Sequence, residues 1–281
     1  MTASAMPNAP LVLVIRDGWG ENPNAEHAPF NAIAQAHTPV DDQLRTQWPH
    51  TLMTTCGEAV GLPPGTMGNS EVGHQNIGAG RIVDQELMRI SKAIGNGSFF
   101  HNQALIEAMQ RPLATGGRVH LLGLLSDGKV HSTIEHLFAL IDLAVQQQVP
   151  ADRLLIHVIT DGRDVGPRTA LGYIDQLQAK LRETGTGHIA SVIGRYYAMD
   201  RDHRWERTAL AYHTLTGRGE MDAPMAIAAS ASEAVQRYYD QPSDANRASD
   251  EFVLPAIMAD VPSPQIHDGD SVIFFNFRGD R

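Results

Sequence analysis

Three short apolar runs, residues 119–125, 154–159 and 189–193, alternate with two stretches whose apolar residues recur at helical spacing. The first stretch carries Ile134, Leu137, Phe138, Ile141 and Val145, and the second, after Pro167, carries Leu171, Ile174, Leu177 and Leu181. No other feature restricts the fold as much. Strands separated by helices build βαβ units with parallel strands, and a parallel strand covered on both faces reads as an unbroken apolar run. A further helix is expected to start near Trp205 and a last strand to span residues 271–277. The expectation is an α/β fold with a mostly parallel sheet.

Each of these strands ends in a loop with polar chemistry. His131 follows the first, Arg163 and Asp164 the second, Arg195 and Arg201 the third, and Arg278 and Arg281 the last. Loops at the carboxyl ends of parallel strands converge on one crevice. Guanidinium forks bind phosphate and carboxylate bidentately, so this set suits a ligand that carries both. Singly, each arginine also reads as a surface charge or half of a weak ion pair; recurrence at successive strand ends favours the crevice. His131 alone reads more readily as a hydrogen-bonded structural histidine. Asp164 either orients Arg163 or serves as a general base, a choice that belongs to geometry.

Two elements nearer the start add to this. The run Leu11-Val12-Leu13-Val14-Ile15 reads as a buried central strand that delivers Asp17 at its end, where a hard cation or a phosphate would be held. A lone Asp after a strand is also a common turn or helix-cap residue. The second element is Thr66-Met67-Gly68-Asn69-Ser70-Glu71-Val72-Gly73-His74, one hydroxyl among glycines, amides, a carboxylate and an imidazole. Glycines let backbone N–H groups approach a phosphate, and a serine attacks once its proton is removed or its oxygen binds a metal, so Ser70 is the candidate nucleophile. Gly, Asn and Ser also make ordinary turns.

Composition bounds the reading. The 281 residues are 42% hydrophobic, enough for one large core or two smaller ones. The single cysteine, Cys56, excludes an internal disulfide and is expected as a buried filler. A formal charge of −10 argues against nucleic acid and acidic membrane as partners. It leaves a small anionic substrate open, because local field governs a cleft. The absence of a basic, apolar leader pattern makes the cytoplasm the expected location.

With Asp17-Gly18-Trp19-Gly20 and Met67-Gly68-Asn69-Ser70-Glu71-Val72-Gly73-His74 in place, the chain resembles the cofactor-independent phosphoglycerate mutases of the alkaline phosphatase superfamily. Four more stretches resemble that family's motifs in order. They are Ser126-Asp127-Gly128-Lys129-Val130-His131-Ser132, Asp161-Gly162-Arg163-Asp164-Val165-Gly166-Pro167, Gly194-Arg195-Tyr196-Tyr197-Ala198-Met199-Asp200-Arg201-Asp202 and Phe274-Phe275-Asn276-Phe277-Arg278-Gly279-Asp280-Arg281. The chain departs from the family pattern at Arg16, usually apolar, at Lys129, usually Gly, and at Gly279, often Pro or Ala.

The resemblance implies a metal-bearing phosphatase domain, split in sequence, with residues 1–84 as its first piece and 85–281 as an inserted phosphotransferase domain, incomplete at its C-terminal end. It implies 3-phosphoglycerate and 2-phosphoglycerate as substrates, a phosphoserine formed on Ser70, and His131, Arg163, Asp164, Arg195, Arg201, Arg278 and Arg281 as substrate-binding residues. It also implies two divalent cations, manganese or magnesium, with Asp17 and Ser70 as the ligands in this chain and the remaining ligands and a lysine beyond Arg281. No 2,3-bisphosphoglycerate is required, and a monomer is expected. The competing expectations are a phosphohydrolase of the same superfamily and a noncatalytic fragment that binds phosphoglycerate.

Overall fold

The structure, a computed structural model, describes residues 10–219 and 225–279 and divides into two units, Met1–Val83 and Asp84–Arg281. Among its described residues the first unit holds three helices, α1 (Ala32–Gln35), α2 (Pro39–Gln47) and α3 (Ser70–Ala79), and two 3-10 turns at Ala25–Phe30 and Gly57–Val60. Pro39 opens α2 at a position where its missing N–H costs nothing, and the Asn69 side chain caps α3 by accepting from the Val72 amide at 3.0 Å. Arg16, where the resembled family is usually apolar, pairs with Asp41 at 2.6 Å and lies over the Trp19 ring.

The strand expected over residues 11–15 is not formed. The segment runs without a ladder partner, and exposure falls only from 95% at Leu11 to 44% at Ile15. A strand is held by hydrogen bonds to its neighbours, and among the described residues this unit contains no other strand to supply them. Cys56 is likewise exposed, not a buried filler.

The second unit carries the alternation read from the sequence. In chain order it comprises α4 (Glu86–Gly95), α5 (Gln103–Ala114), β1 (Val119–Leu125), α6 (Ile134–Gln146), β2 (Leu154–Thr160), α7 (Ala170–Thr184), β3 (His188–Gly194), α8 (Arg195–Ala198), α9 (Trp205–Thr216), β4 (Ala226–Ala228), α10 (Ala231–Asp240), β5 (Ala256–Met258) and β6 (Ser271–Phe274). The sheet order is β4-β5-β3-β2-β1-β6. β6, β1, β2 and β3 run parallel; β5 is antiparallel to β3, and β4 is parallel to β5. All seven residues of β2 are buried, as both faces of a central parallel strand require.

β6 is shorter than the expected 271–277 because Asn276 breaks the ladder: its side-chain oxygen accepts the Leu124 amide at 2.9 Å where a backbone carbonyl would otherwise do so. On α6 the expected face is right at Ile134, Leu137 and Ile141, yet Val145 is 40% exposed while Leu140, Leu143 and Ala144 are buried. The helix touches both α4 and α7, so its buried arc is wider than one stripe.

A polar chain crosses the core of the sheet. His120 Nε2 donates to Asp270 at 3.1 Å, His157 Nε2 donates to His120 Nδ1 at 2.8 Å, and the Ser191 hydroxyl donates to His157 Nδ1 at 2.8 Å. Asp270 can only accept, which fixes the tautomer of each ring in turn. Burial and the neighbouring His120 lower His157 to about 3 from its ordinary 6.5.

Candidate active site

The loops beyond β1, β2 and β3 meet at the carboxyl ends of their strands. Beyond β2 the chain must reverse at once, and Gly162 does so at φ +71, with space so limited that a Cβ there would lie 2.8 Å from Asp250 Cβ and the Glu251 amide. The reversal is held by Asp161, whose Oδ1 accepts from the Arg163 amide at 3.1 Å and the Asp164 amide at 3.0 Å. The Ser126 hydroxyl, from the end of β1, donates to Asp161 Oδ2 at 2.6 Å. Burial pushes the Asp161 carboxyl up, but the hydrogen bonds from Ser126 and the Asp164 amide, with Arg195, outweigh it and hold it below the usual carboxylate range.

Arg195 is delivered by the end of β3. Gly194 passes so close to the 250–253 segment that a Cβ would sit 2.5 Å from the Glu251 carbonyl, and the Gly194 amide donates to the Val253 carbonyl at 2.8 Å. Arg195, 6% exposed, then extends one nitrogen, Nη1, to Asp161 Oδ1 and Asp164 Oδ2, each at 2.6 Å. Burial works against its charge, and the two carboxylates more than restore it, raising its pKa. His131 Nε2 stands 3.7 Å from Asp164 Oδ2. The Phe277 amide donates to the His131 carbonyl at 2.9 Å, tying this loop to the segment after β6.

The structure therefore brings His131, Asp164 and Arg195 together, with Arg163 on the same turn. Arg163 is half exposed and faces Glu251 at 3.6 Å. Asp164 pairs with Arg195 at 2.6 Å and not with Arg163. Arg201 is exposed, on a loop closed by Asp200, which accepts from the Arg204 amide at 2.9 Å and from Arg207 at 3.0 Å. Arg278 is exposed, one residue after the Phe277 bond to His131. Arg281 lies outside the described residues.

Asp161 and Ser126 went unassigned in the sequence, and so did Asp250. Fully buried, Asp250 accepts from the Thr169 and Ala170 amides at 2.7 and 2.9 Å and from the Tyr239 hydroxyl, capping α7 from 80 residues away. Its burial drives its pKa up in spite of these donors. Lys129, where the family pattern has glycine, adopts φ +57, the left-handed region that glycine tolerates best.

In the first unit Asp17 and Ser70 are both exposed. Ser70 opens α3, so its hydroxyl sits among the amides that a helix start leaves unpaired, where negative charge is favoured. His74 Nδ1 lies 3.2 Å from Ser70 Oγ and 2.8 Å from the Ser70 carbonyl. A carbonyl only accepts, so Nδ1 carries the proton and cannot take one from the serine. A single carboxylate and a hydroxyl are too few for a hard cation, which needs about six oxygen ligands. Among the described residues no group of three or more His, Cys, Asp or Glu could hold a metal. The expected two-cation site is therefore not assembled by these residues.

Residues 90–281 match the family model described as BPG-independent PGAM N-terminus. The chain is 50% identical over 280 residues to the 2,3-bisphosphoglycerate-independent phosphoglycerate mutase of Rhodopirellula baltica, covering 99% of this chain and 51% of that protein. It is 51% identical over 277 residues to the Moorella thermoacetica protein of the same name, covering 98% and 51%. Among solved structures, the Leishmania mexicana phosphoglycerate mutase crystallised at low cobalt concentration matches with a TM-score of 0.69 and 33% identity, covering 89% of this chain and 46% of that one. The chain thus spans about half the length of the curated relatives it matches. With the family model covering more than half of its residues, the chain belongs to the BPG-independent phosphoglycerate mutase N-terminal family.

Proposed function

We propose that this chain supplies the nucleophile and the substrate-holding half of a phosphoglycerate mutase, an isomerase that interconverts 3-phosphoglycerate and 2-phosphoglycerate through phosphoserine at Ser70. The observation that carries the reading is the meeting of His131, Asp164 and Arg195 at the ends of β1, β2 and β3, inside the stretch matched by the family model. Arg163, Arg201, Arg278 and Arg281 are proposed to bind the phosphate and carboxylate of the substrate, supported by their place in strand-end loops.

The chemistry runs in two transfers. The Ser70 oxygen attacks phosphorus, the bond to the 3-oxygen of glycerate breaks, and the proton lost by the Ser70 hydroxyl balances the one that this oxygen takes up. Glycerate then turns within its arginine clamp, and its 2-hydroxyl attacks the phosphoserine as Asp164 accepts the proton. The proton that Asp164 accepts balances the one with which Ser70 regains its hydroxyl. Water must be excluded while phosphoserine exists, because release of glycerate would make the enzyme a phosphatase.

Residues 1–84 are proposed as the phosphatase piece and 85–281 as the phosphotransferase domain, supported by the compact unit Asp84–Arg281 and by the family match from residue 90. Dependence on manganese or magnesium belongs to the same proposal, with Asp17 and Ser70 contributing ligands. A glycolytic role in the cytoplasm as a monomer belongs to the same proposal, and the charge of −10 speaks against nucleic-acid and acidic-membrane partners. No helix among the described residues is long and apolar enough to cross a membrane.

The test is to quench the complete protein during turnover of 3-phosphoglycerate and map the phosphorylated residue by mass spectrometry. Phosphate on Ser70 with 2-phosphoglycerate as product supports the reading. Phosphate elsewhere, or glycerate as the main product, overturns it.

A further inference from the structure

Two carboxylates share one nitrogen of Arg195 at the same 2.6 Å, yet their surroundings differ. The Asp161 side chain is 1% exposed and takes four donors: the Ser126 hydroxyl, the Arg163 and Asp164 amides and Arg195. A carboxylate has about four acceptor sites, so Asp161 is saturated. Ser126 is itself buried and pinned by the Gly128 amide at 3.0 Å. The Asp164 side chain is 16% exposed and has Arg195, with His131 at 3.7 Å. One carboxylate is built into the turn; the other rests on the guanidinium from the solvent side.

Charge makes the difference matter. One guanidinium against two ionised carboxylates leaves a local charge of about −1, a poor receptor for an anion. An anion can claim Arg195 only if one carboxylate gives way, and the saturated one would leave several buried donors without an acceptor. We infer that Asp161 is the fixed counter-ion that positions Arg195, and that Asp164 is an exchangeable one which an anionic substrate displaces. Asp161 is thus a positioning residue. Asp164 stays occupied while the site is empty and becomes a free carboxylate only when a ligand has taken its place on Arg195. This deepens the phosphoglycerate reading and rests on it for the identity of the anion.

The test uses the 281-residue chain labelled with 15N at arginine, the Arg195 side-chain N–H signals being assigned by their loss in Arg195→Lys. In the unliganded protein those signals should be slow to exchange with water, should persist in Asp164→Asn, and should be lost or averaged in Asp161→Asn. Calorimetry with 3-phosphoglycerate should show Asp161→Asn weaker by roughly tenfold or more, the loss of a charge-assisted contact, and Asp164→Asn tighter, the loss of a competing anion. Loss of positioning that is merely a loss of stability would weaken both variants. Arg195 signals that survive Asp161→Asn or vanish in Asp164→Asn overturn the assignment, as does equal weakening of binding by the two. If Asp161→Asn does not fold, the Asp164→Asn spectrum decides alone. Wild-type protein that binds no phosphoglycerate sinks the substrate reading, while the unliganded spectra still judge the anchor.

Discussion

The two units treat their functional residues in opposite ways. In the second, Arg195 and Asp161 are buried, and every strand that delivers a polar residue is hydrogen-bonded to a neighbour. In the first, Asp17 and Ser70 are exposed, and the apolar run ahead of Asp17 lies open to water. A motif of the right residues is therefore not yet a site. Carboxylates and guanidiniums take fixed positions only where buried donors and acceptors leave them no alternative.

The sharpest way to break this comparison is hydrogen exchange. Amides of β1, β2 and β3 should exchange only through near-global unfolding, those of residues 11–15 almost freely, a difference of at least about a thousandfold in protection. Equal protection would mean that the first unit is as firmly built as the second. Next in size, Ser70→Ala in the complete protein should lower mutase turnover by roughly a thousandfold or more and leave 3-phosphoglycerate binding intact, since the loss is of a covalent nucleophile and not of a clamp. Retention of a tenth of the turnover would refute the nucleophile.

Within the second unit, Arg195→Ala should cost about 3–5 kcal/mol in chemical denaturation, because it leaves Asp161 buried without its counter-ion. Arg201→Ala should leave that midpoint alone and weaken phosphoglycerate binding about tenfold, with Arg237→Ala, on the exposed side of α10, as the unaffected control. An Arg201 variant that behaves like Arg237→Ala removes Arg201 from the clamp.

Acid should act on the second unit through its buried histidines, His157 on β2 and His136 on α6. The folded pKa of His157 is about 3 and that of His136 about 4, both pushed down chiefly by burial from the ordinary 6.5. The unfolded chain therefore binds these protons first. The stability they protect is whole above about pH 6.5 and falls, by about 1.4 kcal/mol per pH unit for each histidine, on the way down to the folded values. Urea midpoints from pH 8 to 4.5 measure it, and His157→Gln should flatten the slope. The smallest effect is a gain: Lys129→Gly, which relieves the positive φ, should stabilise the protein by up to about 1 kcal/mol in the same assay.

The strands β1, β2 and β3 were legible because burial on both faces writes itself as a largely apolar run, interrupted in each by one buried polar residue, His120, His157 and Ser191. β4 and β5 were not: each is three residues long, and an antiparallel β5 has no place in a simple βαβ reading. The strand expected at residues 11–15 has the composition of a strand and, among the described residues of its unit, no neighbour to pair with. Within the site, His131, Arg163, Asp164 and Arg195 could be read from their loops. Their division into ligand group and support could not. Asp161 looks like any turn aspartate until β1 and β3 bring Ser126 and Arg195 to it, and Asp250 acts on residues about 80 positions away.

β6 pairs with β1 in register Val119↔Ser271, and the Arg118 amide is held by Asp270, 152 residues further along. On the ribosome, then, β1 emerges long before its outer neighbour exists. At ordinary elongation rates that flank stays unpaired for on the order of 10 s, while β2 and β3 can already assemble on the other side. Nascent chains should be most prone to pair wrongly with one another during that interval, so slowing translation between residues 194 and 271 should lower the yield of folded protein more than slowing it after residue 274.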